Sequence, residues 1–196
     1  MKLRVLVTTA AAVVGTLTLA ACGSESKSAS EGTDAPATGA FNDADVTFAQ
    51  GMIPHHEQAI EMSDIALDPT VGASAEVGAL ATRIKAGQDP EITLMTGWLG
   101  AWGQPVTMDI TEGHDMSSME GMMSVEEMDA LGALTGTEFD KAWLEMMIRH
   151  HEGAIAMALT VKANGSNPDV LALADQVIAA QQGEIGEMQT LLASAG

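Results

Sequence analysis

Four of the five histidines in this 196-residue chain form two adjacent pairs, and both pairs lie in nearly the same sequence. The first pair occurs in Met-Ile-Pro-His-His-Glu at 52–57 and the second in Met-Ile-Arg-His-His-Glu at 147–152. Another methionine follows each pair after several residues. Imidazole and thioether groups together are the ligands that soft and borderline metals prefer, copper above all. The pattern predicts a metal site whose candidate ligands are Met52, His55, His56, Met62, Met147, His150, His151 and Met157.

The similarity between the two halves of the chain extends beyond the histidines. Asp45 matches Asp140 in the same register as the pairs. Residues 77–99 then match residues 170–192 in a register that is shorter by two residues, which indicates a slightly longer loop in the first copy. Internal repeats identify the structural unit of a chain. The sequence therefore predicts a duplicated unit made of two segments.

Both copies have the composition of helices, because Ala, Leu, Met, Glu and Gln dominate them. The predicted helices are 43–66, 73–100, 137–163 and 168–194. The loop within each copy is short, so each copy should form an antiparallel helical hairpin. Hairpins at about 41–100 and 137–196, joined by a Met-rich connection at 101–136, predict an all-α four-helix bundle. Pro54 predicts a kink or a new helix start, because proline removes a backbone hydrogen bond.

A polar layer is predicted halfway along this bundle. Met52, His55 and Met62 have the spacing of one helix face, and the second copy repeats it. Each histidine pair lies near the middle of its helix, so packing of the helices should bring the pairs to one level. The other residues expected near this level are Gln88, Glu91, Gln181 and Glu184. The alternative to a metal site is a hydrogen-bonded His–Glu–Gln network that only fixes the register of the bundle.

The connection between the hairpins carries a second cluster of possible ligands. Its residues are His114, Met116, Met119, Met122 and Met123, with Met128 close behind. A flexible group of thioethers suits reduced copper or silver, which predicts a secondary metal site. The alternative is that these methionines pack on the bundle or present a soft surface to a partner.

The first residues have the pattern of a secretion signal. Lys2 and Arg4 precede an apolar run that is too short for a membrane span and ends in Leu-Ala-Ala-Cys. This ending resembles the bacterial lipobox, and the alternative is an ordinary signal with an incidental cysteine. The predicted segments are a signal peptide at 1–21, a lipidated Cys22, a flexible tether at 22–40 and the bundle domain at 41–196. The expected location is extracytoplasmic, anchored to the membrane by lipid, or secreted without lipidation.

Charge and cysteine content exclude several classes of function. The chain has 27 acidic and 8 basic residues, a net charge of −19, and a single cysteine. Such an acidic protein is not expected to bind nucleic acid, whereas it attracts cations. If Cys22 is lipidated, no thiol remains for a disulfide framework or a cysteine zinc site.

Residues 139–157, which include the second His-His-Glu sequence, resemble the signature of the domain-of-unknown-function 305 family. The Gly-Met-Met-Ser sequence at 121–124 and the first histidine sequence at 52–57 fit the same pattern. The resemblance implies a ferritin-like four-helix bundle in a secreted or lipid-anchored bacterial protein, and some members are associated with copper or silver. The motif residues that it carries over are Met52, His55, His56, Met147, His150 and His151.

The favoured function is binding of copper, as Cu(I) or Cu(II), or of silver, by a chaperone, buffer or sequestration protein, with another metal as the alternative cofactor. One alternative is an oxidoreductase with a ferritin-like di-metal centre. Those centres use more carboxylates than this chain offers, so an enzyme is the less favoured interpretation. Another alternative is a structural or interaction module with a buried histidine network. No protein partner is indicated by the sequence.

Overall fold

The computed structural model describes residues 39–107 and 119–194. Within these ranges the chain forms five helices and no strand. They are α1 (Asp43–Leu67), α2 (Ala75–Trp102), α3 (Val125–Gly132), α4 (Gly136–Asn164) and α5 (Pro168–Ser194). The predicted all-α bundle is confirmed, and each of the four predicted helices ends within two residues of its expected bounds. The predicted signal peptide, Cys22, His114 and Met116 lie outside the described residues.

The helices pack as two hairpins that meet through their first members. α1 packs against α2, α4 packs against α5, and α1 and α4 form the contact between the hairpins. The start of α1 is tied to the end of α4, because the Asp45 carboxylate accepts hydrogen bonds from the backbone N–H groups of Ser166 and Asn167. In the second copy, Asp140 accepts a bond from the N–H of Ser74 in the same way. The repeated aspartates therefore fix α1 and α4 in an antiparallel arrangement.

The apolar core is divided into two clusters by the level of the histidines. One cluster contains Met62 and Met147, and the other contains Met52 together with the partly buried Met157. Residues related by the repeat thus lie in opposite clusters, as an approximate two-fold axis through the middle of an antiparallel α1–α4 pair requires. The axis passes through the histidine layer, so the two copies of each histidine must face each other or face equivalent surroundings.

Two features of the fold differ from the expectation. Helix α1 runs unbroken through Pro54, so of the two predicted outcomes a new helix start at this residue is wrong; α2 likewise contains Pro90. The connection at 101–136 contains a helix that the sequence analysis missed, α3. A capping box between Ser124 and Glu127 starts it. No helix in the described ranges is long and apolar enough to cross a membrane.

Candidate metal centre

The inner histidines, His55 and His150, face each other across the contact between α1 and α4. Their ring centroids are 3.8 Å apart and their planes are inclined by 43°. Both side chains are fully buried. His55 and His150 occupy equivalent positions in the two copies of the repeat, so each copy contributes one histidine to this contact.

The outer histidines, His56 and His151, each bond to a glutamate of their own hairpin. His56 Nε2 lies 2.7 Å from Glu91 Oε2, and His151 Nε2 lies 2.7 Å from Glu184 Oε2. An ionised carboxylate only accepts, so Nε2 must carry the proton and donate it. The Nδ1 atom of each ring then keeps its lone pair, and neither Nδ1 has a hydrogen-bond partner. Carboxylates orient metal-binding imidazoles in this manner.

The inner pair has no hydrogen-bond partner at any ring nitrogen. A buried polar atom without a partner costs free energy, and native structures contain few of them. Four fully buried imidazoles with unpaired nitrogens at one level therefore offer lone pairs that could bind a metal ion. An inert network would satisfy these atoms within the protein. None of the four ring nitrogens of His55 and His150 makes a bond of hydrogen-bond geometry, although the Glu120 backbone lies close enough to His55 to oppose the lowering of its pKa by burial.

Burial keeps the inner histidines neutral. It lowers the pKa of His55 from 6.5 to about 3, with a further decrease from the nearby His56. Burial also holds the pKa of His150 well below its usual value, and the neighbouring His55 and His151 act in the same direction. A neutral imidazole has a free lone pair, which is the form that binds a metal. The inner pair is thus ready for a metal at any pH near neutrality.

The four candidate methionines divide into two groups by distance along the helices. Met52 and Met147 are fully buried one turn before the histidine pairs, at the edges of the two apolar clusters. Met62 and Met157 follow the first histidine of each pair by seven residues, roughly 10 Å along a helix. That separation is too long for one ion held by the imidazoles, so Met62 and Met157 would serve a different site. Met157 lines a separate pocket of about 410 Å³ near the start of α1.

The end of the Met-rich connection lies directly on α4. A Cβ atom added to Gly153 would come within 2.0 Å of the Glu120 carbonyl oxygen, so only glycine permits this approach. The Gln58 side chain holds Met123 through both backbone groups, at 2.9 Å to its oxygen and 2.7 Å from its nitrogen. Met123 is buried, whereas Met119 and Met122 are partly exposed. Of the proposed secondary ligands, these three are docked beside the histidine turn of α4.

The side chains nearest the histidine layer are imidazoles and thioethers, and only two carboxylates lie beside them. No three His, Cys, Asp or Glu side chains there are arranged to hold one ion. The groups that converge are imidazoles flanked by thioethers, and the two nearby carboxylates are engaged by histidines. A small set of soft and borderline ligands suits Cu(I) or Ag(I), whereas a di-iron centre requires more carboxylates.

The model of the family described as "Domain of unknown function (DUF305)" matches residues 45–192. The chain belongs to the DUF305 family. The matched range contains all eight residues of the two histidine–methionine faces. No curated protein matches the chain significantly.

Solved DUF305 structures have the same fold. A DUF305 protein from Streptomyces coelicolor, described as secreted, is 34% identical, with a TM-score of 0.72 over 78% of this chain and 94% of that one. A DUF305 fragment from Deinococcus radiodurans is 34% identical, with a TM-score of 0.70 over 81% and 99%. CopM in its Cu(I)-bound form is 30% identical, with a TM-score of 0.64 over 76% and 96%. CopM is also known in Cu(II)-bound and silver-bound forms.

Proposed function

We propose that this DUF305 protein is an extracytoplasmic protein that binds copper or silver through its histidine layer. The observation that carries the proposal is the pair of buried imidazoles, His55 and His150, with all their ring nitrogens unpartnered. The metal-bound forms of CopM support the choice of metal. Binding, rather than catalysis, fits a site whose two carboxylates each orient a histidine.

The ligands divide into roles by their surroundings. His55 and His150 would supply nitrogen donors from opposite copies to one ion. Each outer histidine, oriented by its glutamate, offers its Nδ1 separately, because no three His, Cys, Asp or Glu side chains of the described residues are arranged to hold one ion. Met52 and Met147 supply thioethers, which favour the reduced ion. Met119, Met122 and Met123, together with His114 and Met116, would form a secondary site whose thioethers suit the reduced ion.

A double substitution of the inner pair tests the primary site. We expect the His55→Leu/His150→Leu protein to fold and to lose tight binding of Cu(I) and Ag(I), measured by competition with a chelator of known affinity. The matched control is Met95→Leu/Met188→Leu, a repeat-related pair that is equally buried outside the histidine layer. Unchanged affinity and stoichiometry in the histidine variant would place the metal elsewhere.

Anchoring at Cys22 is a separate part of the proposal. The Leu-Ala-Ala-Cys sequence, the flexible composition that follows it, and the secreted relative support it. A Cys22→Ala protein should appear in the soluble extracytoplasmic fraction, whereas the native protein should remain with the membrane and incorporate a labelled fatty acid. Equal fractionation of the two proteins would contradict lipidation.

A further inference from the structure

A small cavity lies between α2 and α5, next to the histidine layer. Its volume is about 40 Å³. Pairs of repeat-related residues line it, among them Gly87 and Ala180, Gln88 and Gln181, and Glu91 and Glu184. A cavity of this size holds a water molecule or a single ion and excludes organic ligands. The approximate two-fold axis of the fold therefore passes through an ion-sized space lined by oxygen-bearing side chains.

The amides of the cavity lack partners within the protein. Gln88 is 4% exposed, and neither its Oε1 nor its Nε2 has a hydrogen-bond partner. Gln181 is 3% exposed, and its Oε1 is likewise unpartnered. Burial of an amide without a hydrogen-bond partner costs free energy, and two leucines at these positions would avoid that cost. Unpaired buried amides in a cavity beside carboxylates indicate a ligand that the amides help to hold.

The glutamates of the cavity connect solvent with the buried histidines. His56 and His151 are fully buried, whereas the side chains of Glu91 and Glu184 are 21% and 23% exposed. In each glutamate Oε2 accepts the histidine bond, which leaves Oε1 for a cation. The net charge of −19 adds an attractive field for any cation that approaches.

Described residues cover the histidine layer at the α1–α4 contact and near Gly153. The contact of α1 with α4 buries the inner pair completely. The segment around Glu120 covers α4 at Gly153, where its backbone leaves no space for even a methyl group. Each hairpin is closed by the packing of its own two helices, whereas α2 and α5 make no contact of comparable extent.

We propose that the α2–α5 cavity is the entrance through which metal reaches the histidines, and that its side-chain oxygens hold a divalent cation in transit. This inference rests on the proposed function of the histidine layer. Carboxylate and amide oxygens suit Cu(II) better than the soft Ag(I) ion. Transfer inward is a ligand exchange: bonds to water and side-chain oxygens break as bonds to imidazole nitrogen form. The oxidation state of the metal does not change in this step.

A steric block at the mouth tests the route. Gly87 is exposed at the cavity, and a Cβ atom added to it would meet no other atom within 4 Å, so Gly87→Leu introduces a side chain at the mouth. The matched control is Gly100→Leu, at another exposed and uncrowded glycine of the same helix. In stopped-flow mixing, Gly87→Leu should take up both Cu(II) and Ag(I) about tenfold more slowly than the control, the effect of an opening that costs about 1.4 kcal/mol more. Both proteins should keep the wild-type equilibrium affinity. Equal uptake rates in the two variants would refute the route.

Removal of the amides tests the oxygen subsite. A Gln88→Leu/Gln181→Leu protein keeps the approximate size of the side chains and every histidine and glutamate. Uptake of Cu(II) should slow several-fold relative to wild type, whereas uptake of Ag(I) should stay at the wild-type rate. Equal effects on the two ions, or none on Cu(II), would refute the subsite. Failure of the wild-type chain to bind either ion would instead refute the proposed function, so the two failures are distinguishable.

Discussion

Acid should destabilise the metal-free protein through its inner histidines. Burial lowers the pKa of His55 from 6.5 to about 3 and holds that of His150 well below its usual value. In the unfolded chain both residues titrate near 6.5, so the unfolded state takes up protons first as the pH falls. The free energy of unfolding therefore decreases as the pH drops below about 6.5, and the loss from His55 continues until about pH 3.

The size of this effect follows from the two pKa values of His55. Between about pH 7 and pH 5, the unfolded chain takes up a proton at His55 and the folded chain does not. The free energy of unfolding therefore decreases by roughly 2 kcal/mol. His150 adds to the loss in the same direction. A total stability of about 5–15 kcal/mol is typical of a domain, so this loss is a large fraction of it.

Urea denaturation of the metal-free protein at the two pH values measures the effect, with circular dichroism as the signal. The control is His55→Leu, a change that removes the titrating group and keeps an apolar side chain of similar size. We expect the variant to lose roughly 2 kcal/mol less stability than the wild type between about pH 7 and pH 5. If the two proteins lose the same amount, His55 titrates normally in the folded state, and burial of a neutral imidazole is the wrong description.

Two further predictions concern side-chain ligands and the docked segment. Met52→Leu should weaken Cu(I) and Ag(I) binding about tenfold. Met95→Leu, an equally buried change outside the histidine layer, should leave the affinity unchanged. Each substitution should lower the free energy of unfolding by less than about 1.5 kcal/mol, because leucine and methionine have similar volumes. Equal affinities in a chelator competition would remove Met52 from the ligand set. Gly153→Ala should destabilise by about 1–3 kcal/mol, because the added methyl group meets the Glu120 carbonyl, whereas the open helix site Gly183→Ala should stabilise by about 1 kcal/mol. Thermal unfolding measures both, and a stabilising Gly153→Ala would show that the segment does not lie on α4.

The sequence determined the helices and their order because these depend on local information. Helix-favouring composition, short loops within each copy and the repeat itself predicted two hairpins, and the helix bounds agree within two residues. The location of both histidine pairs at mid-helix also follows from counting residues. α3 was missed because its signal is brief: a capping box and two buried apolar residues within eight.

Tertiary packing decided what each histidine of a pair faces. Neighbouring residues on a helix point about 100° apart. The sequence predicted that both histidines of each pair lie near one face, but it did not predict which residue each of them contacts. Rotation of α1 against α4 brought His55 to His150 and left His56 for Glu91. That rotation is set by the fit of two complete apolar clusters, which involves residues from all four long helices.

Long-range contacts also decided where the methionines lie. The sequence grouped Met62 and Met157 with the histidines because they share a helix face. They lie about two helical turns from His55 and His150 and pack with the apolar clusters, as Met52 and Met147 also do. Gln58 and Gly153 hold the end of the Met-rich connection on α4, a role that the sequence did not predict for either residue. A single glutamine and a glycine carry no local pattern; their role exists only once distant backbone segments come into contact.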